Sequence, residues 1–582
     1  MVRQGSVVCL LVLSSCLKEP AGESFVDGLN GVSVTEKVDK KELKGDPGAA
    51  DDEISYELTG RKDSLRDSDV VALDSPSPAA RPRTEKAKMA RKGVGRGYRS
   101  DIARPAPPPP SSYPIQHQQV EPASNTEQFT NYGINGFTLA ERDAQSTFSV
   151  DVDTASYTIS RKKLRAGYLP PTSAVRVEEF VNYFPYEYSK PKGSDPFSVD
   201  IEAAPSPWNT ANHLVRIGVQ GKKVSFNERK SVHLTFLVDV SGSMNQDDKL
   251  GLLKQTLKML TQELEDGDTV AIATYAGATK VVLEPTPISQ RSRILRSLDG
   301  LTASGSTAMG AGIDLAYGLA DRSFKQGAVN RVIVCSDGDA NVGQTSHTAL
   351  ATKIKGYAKK GITLTTVGVG NGNYKDTMME QLANKGDGNY FYIDSMTEAR
   401  RIFSDKLTST MEVIAKDVKI QVEWDKNAVI AYRLVGYENR NIADRDFRND
   451  TVDAGEIGSG HQVTAIYEVA FKDGIPSTFG SVRLRNKAPG PDAPAVERAY
   501  TMSNDSIQNS FGALSKDTRM AVGAAGFAEI LRGSPHMNEV NLSDIRKIVQ
   551  GAQRAEYTED KELLELVNIA SRLKGSHAIS NR

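Results

Sequence analysis

Between residues 231 and 413, short apolar runs alternate with amphipathic helical repeats, and this alternation restricts the possible folds more than any other feature of the chain. Residues 232–240 are apolar on both alternating faces, the pattern of a strand covered on both sides. Immediately afterwards Leu250, Leu253, Leu257, Leu260 and Leu264 recur at helical spacing and form one stripe. Further strands are predicted at 270–275, 281–284, 331–335, 362–369 and 390–393, with helices near 289–298, 308–321, 347–359, 374–384 and 397–413. The implied fold class is α/β: a central, mostly parallel sheet with helices on both faces. Ligands on open sheets of this kind bind at the carboxyl ends of the strands.

Three of those strand ends carry oxygen-bearing side chains. Phe236-Leu237-Val238-Asp239-Val240-Ser241-Gly242-Ser243 places Asp-x-Ser-x-Ser where a central strand enters a loop. A second loop carries Gly305-Ser306-Thr307, and a third follows Val332-Ile333-Val334-Cys335 with Asp337-Gly338. Mg²⁺ is small and hard, prefers about six oxygens and gives up water reluctantly. Asp239, Ser241, Ser243, Thr307 and Asp337 could together hold it: the hydroxyls supply neutral oxygens and the two carboxylates offset its charge. With only two anionic ligands the ion stays electrophilic, so a carboxylate from another molecule can take an open position. That is a mechanism for binding, not for turnover.

These residues resemble the metal-ion-dependent adhesion site of von Willebrand factor type A domains, in which one loop supplies Asp and two Ser, a second Thr and a third Asp. The resemblance implies a Rossmann-like domain over 229–413, a Mg²⁺ ion (or Mn²⁺ or Ca²⁺), and a protein partner presenting an exposed Asp or Glu. It extends to bacterial lipoproteins in which this domain lies between two family-specific regions. Ser146-Thr147-Phe148-Ser149-Val150-Asp151-Val152-Asp153-Thr154-Ala155-Ser156-Tyr157 and Leu169-Pro170-Pro171 look like the N-terminal region, and Gly460-His461-Gln462-Val463-Thr464-Ala465-Ile466-Tyr467-Glu468 like part of the C-terminal one.

The flanks read as separate units. Residues 126–228 form a small N-terminal region, with a strand at 147–152, helices at 155–166 and 174–183, and strands at 198–203 and 214–219. Residues 414–582 read as an α+β domain, strands at 418–424, 429–437, 462–471 and 481–485 preceding helices at 516–531, 542–552 and 559–573. Trp208 and Trp424 are packing anchors.

The chain begins MVRQGSVVCLLVLSSC, with Arg3 before a short apolar run and small residues before a cysteine. Residues 1–15 therefore read as a secretory signal, too short in its apolar run to span a membrane. Leu13-Ser14-Ser15-Cys16 resembles the bacterial lipobox, which implies lipid attachment at Cys16 and a place in the cell envelope, periplasmic or on the outer surface. Cys9 also lies in this segment, so a lipidated Cys16 leaves Cys335 without a disulfide partner; in its apolar strand Cys335 reads as core. Residues 16–125 are rich in charged residues, Ser, Ala and Pro, with few aromatics, and read as a disordered tether. Its basic cluster Lys86, Lys88, Arg91, Lys92, Arg96 and Arg99 reads as a solvated stretch, the alternative being contact with anionic headgroups or cell-wall polymers. Over the whole chain 72 basic and 73 acidic residues nearly cancel, which offers no surface for nucleic acid.

Two readings compete with non-catalytic binding. Phe148 to Ala155 approximates the hydrophobic-Asp-x-Asp-x-Thr/Val loop of haloacid-dehalogenase-type phosphotransferases, making Asp151 and Asp153 candidates for a Mg²⁺-dependent phosphohydrolase. The sequence lacks a convincing downstream set of Ser/Thr, Lys and paired Asp, and the bland alternative has both aspartates capping a helix or salt-bridging locally. The third possibility is a purely structural envelope protein. No serine-hydrolase elbow, zinc-protease helix or phosphate loop is present, so the chain is read as not an enzyme.

Overall fold

Val232–Asp239 forms a strand because its β-branched and aromatic residues can be covered on both sides, and all eight are buried. In the computed structural model it lies inside a six-stranded sheet. The strand order is Tyr390–Tyr392, Ile362–Gly368, Val329–Ser336, Val232–Asp239, Thr269–Tyr275, Thr279–Pro287. Neighbours pair in parallel except at the last strand, which turns back antiparallel along the edge. The structure describes residues 127–225, 229–305, 309–338, 347–370, 374–490 and 493–580. The signal, the tether, Cys16 and Thr307 therefore lie outside the described residues.

One face of the sheet is covered by helices Leu252–Gln262 and Arg291–Asp299 and by the broken segment that ends the domain. That segment was expected as one helix over 397–413. It forms Met396–Arg400, a π turn at Arg401–Asp405 and Leu407–Met411, so the ladder is interrupted where Arg401 and Phe403 are drawn into the core. On the other face lie Met309–Arg322, His347–Lys359 and Asp376–Lys385, joined by Ala155 and Ile159 from the N-terminal helix Ala155–Arg165.

The two flanking regions share their sheets. Gln145–Ser149 pairs with Val413–Trp424, which also pairs with Thr478–Lys487. Phe197–Pro205 and His213–Gly221 form a second antiparallel sheet with Gln462–Phe471 and Val429–Val435. Phe148, Val215, Ile217, Ile420, Val482 and Tyr467 meet in the single core between these sheets. Among the described residues, the strands before Gly221 and those from Val413 to Ser503 thus form one β-sandwich, from which the parallel-sheet domain emerges between Gly221 and Val413. The C-terminal helices Lys516–Arg532, Leu542–Ala552 and Thr558–Ser580 bury Phe527, Ile545 and Leu563 against Tyr157, Phe180 and Phe184 of the N-terminal region. The strand Ala495–Ser503 escapes sequence reading because it is an edge strand whose side chains, except Met502, are exposed or half-buried, so no apolar face marks it. Among the described residues no helix is long and apolar enough to cross a membrane.

Candidate metal centre

Three central strands end side by side, which brings the first and third loops together. Asp239 closes Val232–Asp239, and Ser336 closes the adjacent Val329–Ser336, with Asp337 next in the chain. Asp239 Oδ1 accepts the backbone N–H of Ser241 at 2.9 Å, and this bond turns the loop so that Ser241 Oγ stands 3.0 Å from Ser243 Oγ. The second carboxylate oxygen of Asp239 accepts from Ser336 Oγ at 3.0 Å, and Ser336 Oγ in turn accepts from Gly338 N at 3.0 Å. The second loop is tied to the first through Gly242 N to Gly305 O at 2.9 Å and Ser304 N to Val240 O at 2.6 Å. Gly305 has φ +88°, and a Cβ there would lie 3.3 Å from Gly277 N, so this approach needs glycine.

The electrostatics favour a cation. Asp239 and Asp337 are both buried, and Asp337 bonds Lys249 Nζ through Oδ2 at 3.0 Å. Burial raises the Asp239 carboxyl above its ordinary range and the Asp337 charge adds to the rise, while hydrogen bonds from Ser241 and Ser336 oppose it. Tyr275 is fully buried beside this group; burial and the Asp239 charge push its phenol well above the usual range, and its hydroxyl makes no hydrogen bond of good geometry. Gly242, Asn245, Gln246, Asp247 and Asp248 are exposed and Ser243 half-buried, so the first loop opens to solvent. Among the described residues no three His, Cys, Asp or Glu side chains converge, so a metal here would need hydroxyl ligands. Two buried carboxylates and two adjacent serine hydroxyls fit a hard divalent ion.

Of the site residues predicted from sequence, the structure places Asp239, Ser241, Ser243 and Asp337 at one sheet edge. Sequence reasoning missed Ser336, Tyr275 and Lys249. Ser336 had a usable signal, since it is a polar residue ending an apolar strand; Lys249 had none, because it reads as the charged side of a helix start.

Asp151 and Asp153 occupy a different environment. Both are buried, and Arg440 reaches them through Nε at 3.1 Å and Nη2 at 3.2 Å. Asp151 Oδ1 also accepts Asp153 N, and Asp153 Oδ1 accepts Tyr390 N, each at 2.9 Å. The aspartates thus tie the N-terminal region to the parallel sheet and to the C-terminal region. Glu380 joins Arg440 at 3.2 Å, while Arg176 binds Glu179 and, at 2.6 Å, Asp376. Arg161 makes a similar tie, bonding Asp394 at 2.5 Å, Glu398 at 2.9 Å and Glu562 at 3.0 Å. A cleft of about 280 Å³ lined by Tyr132, Arg176, Glu178, Glu438 and Arg532 lies at this junction, away from the predicted metal residues. Cys335 is buried in its strand, and burial pushes its thiol far up, as for a core cysteine.

The parallel sheet with its helices has the von Willebrand factor type A fold: residues 233–405 match the von Willebrand factor type A domain family, and 123–216 match a family described as von Willebrand factor. Residues 409–480 and 475–573 match the family of the C-terminal part of uncharacterized protein YfbK. The chain is 36% identical over 449 residues to the uncharacterized protein YfbK of Escherichia coli (strain K12), covering 74% of this chain and 78% of that one, and it belongs to the YfbK family. It is also 26% identical over 195 residues to uncharacterized protein sll0103 of Synechocystis sp., covering 33% of this chain and 45% of the other. Among solved structures, a von Willebrand factor type A protein from Catenulispora acidiphila aligns with TM-score 0.39 and 17% identity, over 61% of this chain and 87% of that one.

Proposed function

We propose that the chain is a non-catalytic adhesion or scaffolding lipoprotein of the bacterial cell envelope that grips an acidic group of a partner protein through a divalent ion. The observation carrying this reading is the convergence of buried Asp239 and Asp337 with the Ser241 and Ser243 hydroxyls at the carboxyl edge of a parallel sheet. Asp239 and Asp337 would offset the charge of Mg²⁺ (or Mn²⁺ or Ca²⁺), Ser241, Ser243 and Thr307 would supply neutral oxygens, and the ion would polarise and hold a partner's Asp or Glu carboxylate. The proposed organisation is a signal over 1–15, a lipid on Cys16, a tether over 16–125, an N-terminal region over 126–228, the metal-binding domain over 229–413 and the C-terminal region over 414–582.

Thermal unfolding of the full chain, with Mg²⁺ titrated against chelator, tests the centre. A ligand that binds only the folded state stabilises it, by about 2.7 kcal/mol at roughly 100 times Kd. Wild type is expected to gain stability with metal and Asp239→Ala to gain none; an equal gain in both would place the metal elsewhere, and no gain in either would remove the reading.

A further inference from the structure

Lys249 lies in the turn Asp247–Gly251, directly after the Asp-x-Ser-x-Ser loop. Its neighbours Asp247 and Asp248 are exposed, yet Lys249 is only 4% exposed. Burying an ammonium is costly unless a carboxylate meets it, and here Nζ is 3.0 Å from Asp337 Oδ2, whose side chain is 0% exposed. The stem of the lysine has its own space. Gly370, at φ +86°, stands so close that a Cβ would lie 2.5 Å from Lys249 Cε and 2.8 Å from Cγ. Two separate parts of the fold, the turn after one strand and a glycine after another, therefore direct this ammonium onto a residue of the metal centre.

We infer that Lys249 is a resident counter-cation of this centre, competing with a divalent ion for Asp337 and so setting the metal affinity low. This rests on the metal reading above. In the metal-free protein the ammonium offsets one of the two neighbouring carboxylates, so the loop edge is stable without metal. An arriving 2+ ion meets a like charge at short range in a poorly hydrated place, and it must weaken the Lys249–Asp337 bond to use that carboxylate fully. The site is thereby loaded only at higher metal concentration. Once loaded, the extra positive charge beside the ion favours an acidic partner.

The inference is tested by calorimetric titration of Mg²⁺ into the full chain, as wild type, Lys249→Met and Asp239→Ala. Methionine keeps an unbranched stem against Gly370 and removes the charge. Lys249→Met is expected to tighten the Mg²⁺ Kd by about tenfold or more, while Asp239→Ala binds none. An unchanged or weaker Kd in Lys249→Met, with wild type binding and Asp239→Ala not, overturns this inference and leaves the metal reading standing. If wild type and a folded Lys249→Met both fail to bind, both fall. Should Lys249→Met not fold, modification of Lys249 by an amine-reactive reagent, followed by peptide mass spectrometry, decides on wild type alone. Saturating Mg²⁺ is expected to raise its labelling rate about threefold or more as the ammonium leaves Asp337, and an unchanged rate overturns the inference.

Discussion

Two short stretches of this chain look alike and have opposite surroundings. Val150-Asp151-Val152-Asp153-Thr154 follows a strand and Val238-Asp239-Val240-Ser241-Gly242 leaves one, and in both the first aspartate accepts the backbone N–H two residues on, at 2.9 Å. At the first stretch Arg440 bonds both aspartates from a distant part of the chain. At the second, the carboxylate is met by hydroxyls and a backbone N–H, and Lys249 pairs with the other aspartate. A guanidinium that bridges two carboxylates from another part of the chain makes a tie, whereas short hydroxyls and a backbone N–H leave a carboxylate able to take an added ion. The aspartates alone do not separate structure from site.

The largest way to break the comparison is to remove the guanidinium. Arg440→Met leaves Asp151, Asp153 and Glu380 buried without their shared partner, and stranding buried charge costs about 3–5 kcal/mol. Urea unfolding at pH 8 is expected to show that loss. It should shrink at lower pH, because burial already raises Asp153 well above the ordinary range and raises Glu380 as well, so both accept protons readily. A loss below about 1 kcal/mol, the scale of an exposed ion pair, would mean that the junction is hydrated.

A second, smaller effect comes from Glu178 in the same junction. Burial, with the charges of Glu438 and Asp151 adding to it, pushes its carboxyl from 4.5 to about 7. A folded-state value above the unfolded one means that the ionised form is penalised in the fold. The penalty is full above pH 7 and is relieved as pH falls from about 7 toward 4.5. Glu178→Gln keeps an acceptor for Tyr437 N and removes the charge. The variant is expected to exceed wild type at pH 8 by up to about 3 kcal/mol, and the gap to close near pH 4.5. His461, held down to about 3 by burial, works the other way, since the unfolded chain takes its proton first as pH drops below 6.5. It is present in both proteins, so the difference between them isolates Glu178. A gap that does not change with pH would show that Glu178 is hydrated in the fold.

The parallel sheet was legible because its strands are buried on both sides and its helices carry one apolar stripe, both local patterns. Asp239 and Asp337 could be read for a related reason: one ends an apolar strand and the other follows its neighbour, so topology alone brings them to one edge. What stayed hidden depends on pairing at long range. Nothing around Arg440 announces that it meets Asp151, 289 residues earlier, nor does the short strand Gln145–Ser149 announce that its partner is Val413–Trp424. The flanking regions therefore read as two units, although their side chains fill one core.

The smallest effect sharpens the comparison most. Asp239→Asn keeps the acceptor for Ser241 N, and its amide can donate to Ser336 Oγ where the carboxylate accepted. It removes a buried charge that stands near Asp337, so in chelator the stability is expected to stay within about 1 kcal/mol of wild type, on the favourable side if the repulsion outweighs the loss of charge-assisted bonds. Asp153→Asn, the same chemical change at the other pair, keeps the acceptor for Tyr390 N and relieves a carboxyl that burial holds well above its ordinary range, but turns an amide N–H onto the Arg440 guanidinium, which cannot accept it, and should cost about 2 kcal/mol. Parallel urea titrations of the two variants without metal measure this directly. Equal losses would mean that Asp239 is as much a structural tie as Asp153, because a carboxylate kept for an added ion is one the metal-free fold can do without.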